Sequence, residues 1–219
     1  MEMATHRFVF IFIVLLKTAR AYDPDLLQDL CVANTSSGLK INGFPCKEEA
    51  SVTPDDFFFA GLANQGIVNT SVGSLVTAAH VVKIPGLNTL GLSVSRIDIL
   101  PGGVNPPHTH PRASEVIFVL NGKVDVGFVT TSNKMISKTL QKGEIFVFPK
   151  GLVHFQRNSG NKTVSILAAF NSQLPGTQPL VMAMFASEPA MPADVLSTSL
   201  HIGLKDVEKI RSKFIPKKT

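Results

Sequence analysis

The chain has 219 residues, 44% of them apolar and 17% charged, with fifteen Phe and no Trp. That balance excludes a disordered polymer, and the length suits one domain with a real core, alone or with a short appendage. The formal net charge is +5, of which residues 1–21 supply +2 through Arg7, Lys17 and Arg20 against Glu2, so a chain starting at Tyr22 keeps +3. Lys205, Lys209, Arg211, Lys213, Lys217 and Lys218 hold most of that excess. They read as a solvated helix face, and no nucleic-acid module accompanies them.

Residues 1–21 read as a secretory signal. Arg7 precedes the unbroken apolar run 8–16, and Ala19-Arg20-Ala21 has the small-x-small form of a cleavage site. Nine apolar residues are too few for a membrane span, which needs about twenty. No other long apolar segment follows, so the mature chain is expected to be soluble and extracytoplasmic. Residues 22–66 are loop-rich, with Asp29-Leu30-Cys31 as the start of a helical turn and Asn42-Gly43-Phe44-Pro45-Cys46 as turn chemistry. They are read as an arm lying across the main body. Cys31 and Cys46 have no third thiol to pair with. The alternatives are two free thiols or a bridge, and a bridge would stabilise the fold by about 3 kcal/mol. Sequons at Asn34, Asn69 and Asn161 offer glycosylation sites.

Residues 71–82 mix small and β-branched side chains and are read as a strand without a clean period. Across 89–100, Leu90, Leu92, Val94, Arg96, Asp98 and Leu100 alternate with Gly91, Ser93, Ser95, Ile97 and Ile99, the period-two signature of a strand that Pro101-Gly102-Gly103 ends. Segments 116–120 and 123–129 flank Asn121-Gly122 and read as a hairpin. Further strands are expected at 134–140, 145–148, 152–157 and 164–170, separated by Gln141-Lys142-Gly143-Glu144, Pro149-Lys150-Gly151 and Asn158-Ser159-Gly160-Asn161. Short strands at this spacing predict an antiparallel sandwich or barrel of the jelly-roll kind. Pro192-Ala193-Asp194 opens a predicted helix through His201, and Gly203 stops it. Leu204, Val207, Ile210 and Phe214 recur at helical spacing. Two such helices are expected to pack on the barrel or on a neighbouring subunit.

The stretch Gly102-Gly103-Val104-Asn105-Pro106-Pro107-His108-Thr109-His110-Pro111-Arg112-Ala113-Ser114-Glu115 concentrates the chemistry. Its glycines and prolines are read as fixing the backbone rather than burying it. His108 and His110 are two apart, so an extended chain sends both from one face. Glu115 returns from the next strand, and His154, after Pro149-Lys150-Gly151, is placed to pair opposite. Three imidazoles and a carboxylate suit manganese, iron, zinc or nickel and disfavour copper(I) and iron-sulfur clusters. Gln156 shares the His154 face and is read as an outer hydrogen-bond partner of the site. Phe146, Phe148 and Phe155 are read as barrel core. His80 and His201 lie outside these motifs and receive no role.

The segment 102–115 resembles the first cupin motif of plant germin-like proteins. Gly143-Glu144-Ile145-Phe146-Val147-Phe148-Pro149-Lys150-Gly151-Leu152-Val153-His154-Phe155 resembles the second. Gln28-Asp29-Leu30-Cys31-Val32-Ala33 and Pro85-Gly86-Leu87-Asn88-Thr89-Leu90-Gly91 look like two further germin signatures. The resemblance spans nearly the whole mature chain. It implies a mainly β cupin jelly-roll barrel at 67–185, after the signal 1–21 and a disulfide-stapled arm 22–66, with C-terminal helices at 186–219 serving oligomerisation. It implies manganese on His108, His110, Glu115 and His154, a Cys31 to Cys46 disulfide, a hexamer built as a trimer of dimers, and an apoplastic or cell-wall glycoprotein. The chemistry it implies is superoxide dismutation or oxalate oxidation, on a small anionic or oxygen-derived substrate, serving defence or wall oxidation. True germins fix oxalate with two asparagines; Asn105 matches one, but Ser95 stands at the other, so oxalate oxidation is disfavoured. The resemblance also allows a nucleotide-sugar phosphodiesterase. The other reading is a non-enzymatic wall glycoprotein or receptor-like binding protein whose metal is structural.

Overall fold

Runs of β-branched and aromatic residues form the strands, and their alternation decides which side chains are buried. The computed structural model describes residues 28–39 and 41–214; the signal segment and Lys217 and Lys218 lie outside them. From Cys31 onward the chain forms one unit. Its strands are β1 (Ser74–Ala79), β2 (Ser93–Ile99), β3 (Val104–Thr109), β4 (Glu115–Asn121), β5 (Lys123–Val129), β6 (Met135–Gln141), β7 (Ile145–Phe148), β8 (Val153–Arg157), β9 (Val164–Phe170) and β10 (Gln178–Pro179). They pair antiparallel in two five-stranded sheets, ordered β1-β2-β9-β4-β7 and β10-β3-β8-β5-β6. Three helices follow: α1 (Leu180–Phe185), α2 (Ala193–Leu200) and α3 (Leu204–Arg211).

The core lies between the sheets. Ile97 and Ile99 of β2, Ile117 and Val119 of β4, Val124, Val126 and Phe128 of β5, and Val164, Ile166, Ala168 and Phe170 of β9 point inward at every second position. Burying each large one stabilises the fold by about 1.5–3 kcal/mol. Phe148 is fully buried here and Phe146 packs against it. Phe155 differs from the core assignment. It alternates with the buried His154 and Gln156, so it faces outward, against Gly127, where an added Cβ would meet its ring at 3.1 Å.

Asn121-Gly122 does not make the hairpin that its sequence suggests. Strand β4 pairs with β7 and β9, while β5 pairs with β6 and β8. Gly122, at φ 86°, turns the chain from one sheet into the other, close against Thr163 and Val164 of the facing strand entry. The true hairpin is β5–β6, closed where Thr130 N–H donates to the Lys134 carbonyl. Strand β2 begins at Ser93 and not at residue 89, because Thr89 and Gly91 both adopt positive φ. Residues 29–31 form no helical turn; the arm's helical turns are the 3-10 segments Glu49–Ser51 and Pro54–Phe57.

The arm is held at several points along its length. Cys31 and Cys46 are bonded, and the Asn88 side chain donates to the Phe44 carbonyl at 2.8 Å. Further along, Arg96 and the fully buried Asp98 use the outer face of β2. Arg96 Nε donates to Asp98 at 3.0 Å and its Nη1 to the Leu62 carbonyl at 3.2 Å. Asp98 also accepts from Gly66 N–H at 2.9 Å and Ser165 Oγ at 2.6 Å. At the other end, Phe185, Leu196 and Val207 make a small separate core for the helices. No helix among the described residues is long and apolar enough to cross a membrane.

Candidate metal centre

Two consecutive prolines cannot donate to a ladder, so β3 bulges at Pro106 and Pro107, and its register to β8 shifts between Asn105 and His108. The bulge still pairs His108 with His154 and Asn105 with Gln156 across the two strands. His110 follows β3, and Glu115 is the first residue of β4. All four of His108, His110, Glu115 and His154 are buried, with Glu115 only 1% exposed, so the motif is interior as well as rigid. One ligand atom from each lies within 4.8 Å of the others.

Hydrogen bonds on the far side of the rings aim them. His108 Nδ1 lies 2.7 Å from the Pro106 carbonyl and His154 Nδ1 lies 2.8 Å from the Leu152 carbonyl. A carbonyl only accepts, so both rings carry Nδ1–H and a neutral ring presents Nε2 as a lone pair. The His154 ring stacks on Phe148, centroids 4.4 Å apart, and His110 packs edgewise on Phe170 at 4.8 Å. Glu115 Oε2 is 3.0 Å from both His110 Nε2 and His154 Nε2. Its Oε1 is buried and has no partner. Nitrogen lone pairs and a carboxylate facing one point repel unless a cation sits among them. The donor set therefore fits a divalent metal, and the four residues form a buried metal-binding site.

The electrostatics follow from burial. Burial, and then the neighbouring His154, push His108 down to about 4, while the Pro106 carbonyl opposes the shift. For Glu115 burial alone would raise the pKa, but hydrogen bonds from His110 Nε2 and, when its ring carries both protons, from His154 Nε2 outweigh it and hold the group at about 2. Both folded values lie below the ordinary 6.5 and 4.5, so the unfolded chain binds more protons and stability falls as pH falls. The His108 contribution, on the order of 3 kcal/mol, is complete above 6.5 and lost towards 4. That of Glu115 is complete above 4.5 and lost towards 2. Urea midpoints of the metal-free protein are expected to drop steadily from about pH 7 to about pH 4; a flat profile would contradict this assignment.

His108, His110 and Glu115 line a cavity of about 400 Å³. Ser95 and Asn105 are in its wall. Asn105 Nδ2 donates to Gln156 Oε1 at 2.7 Å, and Gln156 is fully buried with its Nε2 unpartnered. Ser95 lies 6% exposed on the inner face of β2. Among the wall residues that escaped the sequence reading are His80, Arg112 and Thr177. Arg112 Nε donates to the Leu174 carbonyl at 2.9 Å, and Thr177 Oγ1 lies 3.4 Å from His110 Nδ1. The signal for His80 was the period of β1 carried one residue past its end, since Val76, Ala78 and His80 fall at every second position and all line the cavity.

Residues 60–208 match the cupin family. The chain is 57% identical over 219 residues to germin-like protein subfamily 2 member 4 of Arabidopsis thaliana, covering all of both chains. The chain belongs to the germin-like proteins of the cupin superfamily. A second relative, the rhicadhesin receptor of Pisum sativum, is 57% identical over 194 residues, which cover 89% of each chain. Among solved structures, an oxalate oxidase in complex with the substrate analogue glycolate is similar, with a TM-score of 0.84 and 40% identity, covering 90% of this chain and all of that one. The mainly β cupin fold with C-terminal helices and the germin-like membership are thus as the sequence motifs imply.

Proposed function

We propose that this germin-like protein is a secreted, manganese-dependent glycoprotein of the plant apoplast with superoxide dismutase-like chemistry, and not an oxalate oxidase. The observation that carries the reading is a buried three-histidine, one-glutamate site with a cavity on one side. A bound manganese ion would supply reversible one-electron chemistry there. His108, His110, Glu115 and His154 would hold it, and Asn105, steadied by Gln156, would orient a small oxygen-derived anion. Ser95, at the place of the second oxalate-fixing asparagine of germins, is too short to make an amide contact. Exposed Asn69 and Asn161 and half-buried Asn34 are the proposed glycan sites. A homo-hexamer, built through the C-terminal helices, is supported by exposed apolar residues such as Val195, Leu200 and Leu204. The layout proposed is signal 1–21, arm 22–66, barrel 67–185 and helices 186–219.

The second reading, a wall-bound receptor or structural glycoprotein with a structural metal, is favoured by the likeness to the rhicadhesin receptor. One comparison separates the two. Metal-loaded wild type is expected to scavenge superoxide at least about 100-fold faster than the His108→Ala, His110→Ala double variant. Equal rates would leave only the binding reading. Oxalate oxidation is expected to be absent in wild type; strong wild-type turnover would overturn the argument from Ser95, for which Ser95→Asn is the companion variant.

A further inference from the structure

His80 follows the last residue of β1 and shares a wall of the metal cavity with Val76 and Ala78. The ionisable side chains lining that cavity are His80, His108, His110, Arg112 and Glu115. Three of them form the metal site, and an arginine does not give up its proton in a protein. Among the described lining residues, His80 is therefore the group left to exchange a proton near neutral pH. Its Nδ1 accepts the Val82 N–H at 3.3 Å, which places the proton of the neutral ring on Nε2. Arg112 supplies a permanent positive charge to the same cavity and draws anions into it.

We propose that His80 is the proton-exchange residue of the metal cavity, taking up a proton from solvent as a small anion enters and delivering it to reduced oxygen. The proposal rests on the redox reading above. In dismutation one superoxide gives up an electron and leaves as dioxygen; a second takes that electron and binds two protons to leave as hydrogen peroxide. His80 provides one of those protons from its ring and is reprotonated by water, and a water molecule in the cavity provides the other. Burial, with a smaller push from Lys83, keeps its pKa below the ordinary histidine value, so the empty cavity favours the neutral ring. The charges facing it are Lys83 on its own turn and, around the cavity, Arg112, His108, His110 and Glu115. An entering anion adds negative charge to that set and favours protonation.

The test is calorimetric titration of the manganese-loaded protein with sodium azide, in buffers of different ionisation enthalpy, from about pH 6 to about pH 8. Wild type is expected to take up protons as azide binds, its affinity falling by up to about tenfold per pH unit. His80→Gln keeps an acceptor for the Val82 N–H but cannot titrate. It should bind azide with no proton uptake and a flat pH profile, at unchanged manganese content. His80→Asn replaces it if the glutamine variant does not fold. Equal proton uptake in wild type and variant overturns the proposal. Azide binding to wild type without proton uptake overturns it while leaving the redox reading intact. Failure of azide to bind wild type, read as an unchanged manganese EPR spectrum, overturns both.

Discussion

Glu115→Gln is expected to remove the metal while sparing the barrel. Glu115 supplies the one negative charge among three imidazoles, and its Oε1 has no protein partner. With an amide there, a divalent cation would sit in a buried pocket with none of its charge offset. Loss of partners outside the ligand set alone costs 10–100-fold in affinity, so loss of this ligand should weaken manganese binding by at least about 100-fold. Binding to the folded state stabilises it by mass action: manganese at 100 times its Kd adds about 2.7 kcal/mol, or roughly 5–10 °C in Tm for a chain of this size. Wild type should show that rise on adding manganese, and Glu115→Gln should show none. An equal rise in the two would place the metal elsewhere.

The second large effect lies on the opposite face of β2. Asp98 is fully buried and accepts from Arg96, Gly66 and Ser165 together. Asp98→Ala leaves the Arg96 guanidinium, the Gly66 N–H and the Ser165 hydroxyl without their acceptor. Removing one partner of a buried ion pair costs about 3–5 kcal/mol, and urea unfolding should lose that much. Hydrogen exchange should quicken first at Gly66, because the arm loses its tie to the sheet there. Arg96→Met with Asp98→Leu should recover much of the loss, since no charge is then left unpaired. A loss below about 1 kcal/mol in Asp98→Ala would mean that water already screens this network.

The metal centre was legible because its parts are local. His108 and His110 follow the period of two, Glu115 opens the next strand, and the two motifs stand out against turns rich in glycine and proline. Even His154 was placed correctly, since antiparallel pairing across β3 and β8 sets it directly opposite His108. Sheet membership was not legible. Gly122, Gly143 and Gly151 all take positive φ, and local turn chemistry reveals where a strand stops but not which sheet the next one joins. In a jelly roll most consecutive strands change sheets, so the hairpin inference at residues 121 and 122 failed for a topological reason. Strand β3 was hidden by Pro106 and Pro107, which a bulge accommodates. Its short partner β10 and helix α1 carry too few residues for a period to appear.

The wall of the cavity was the least legible part. Arg112 comes from the metal-site segment itself, but Thr177 and His80 arrive from distant segments, and only the folded barrel brings them into the same cavity wall. Ser95 was different. Its inward direction follows from the alternation of β2, and that direction is what turns a missing asparagine into a statement about substrate. Gln156 is explained in the same way, since its partnership with Asn105 repeats the strand register that joins His108 to His154.

The central claim is that the buried histidine and glutamate cluster is a manganese centre. The direct measurement is elemental analysis with EPR on protein purified from its native compartment without added metal. The account predicts about one manganese per chain, with the hyperfine pattern of Mn(II) in a nitrogen and oxygen site. Stoichiometric zinc, stoichiometric iron, or full activity in protein containing no metal would contradict it.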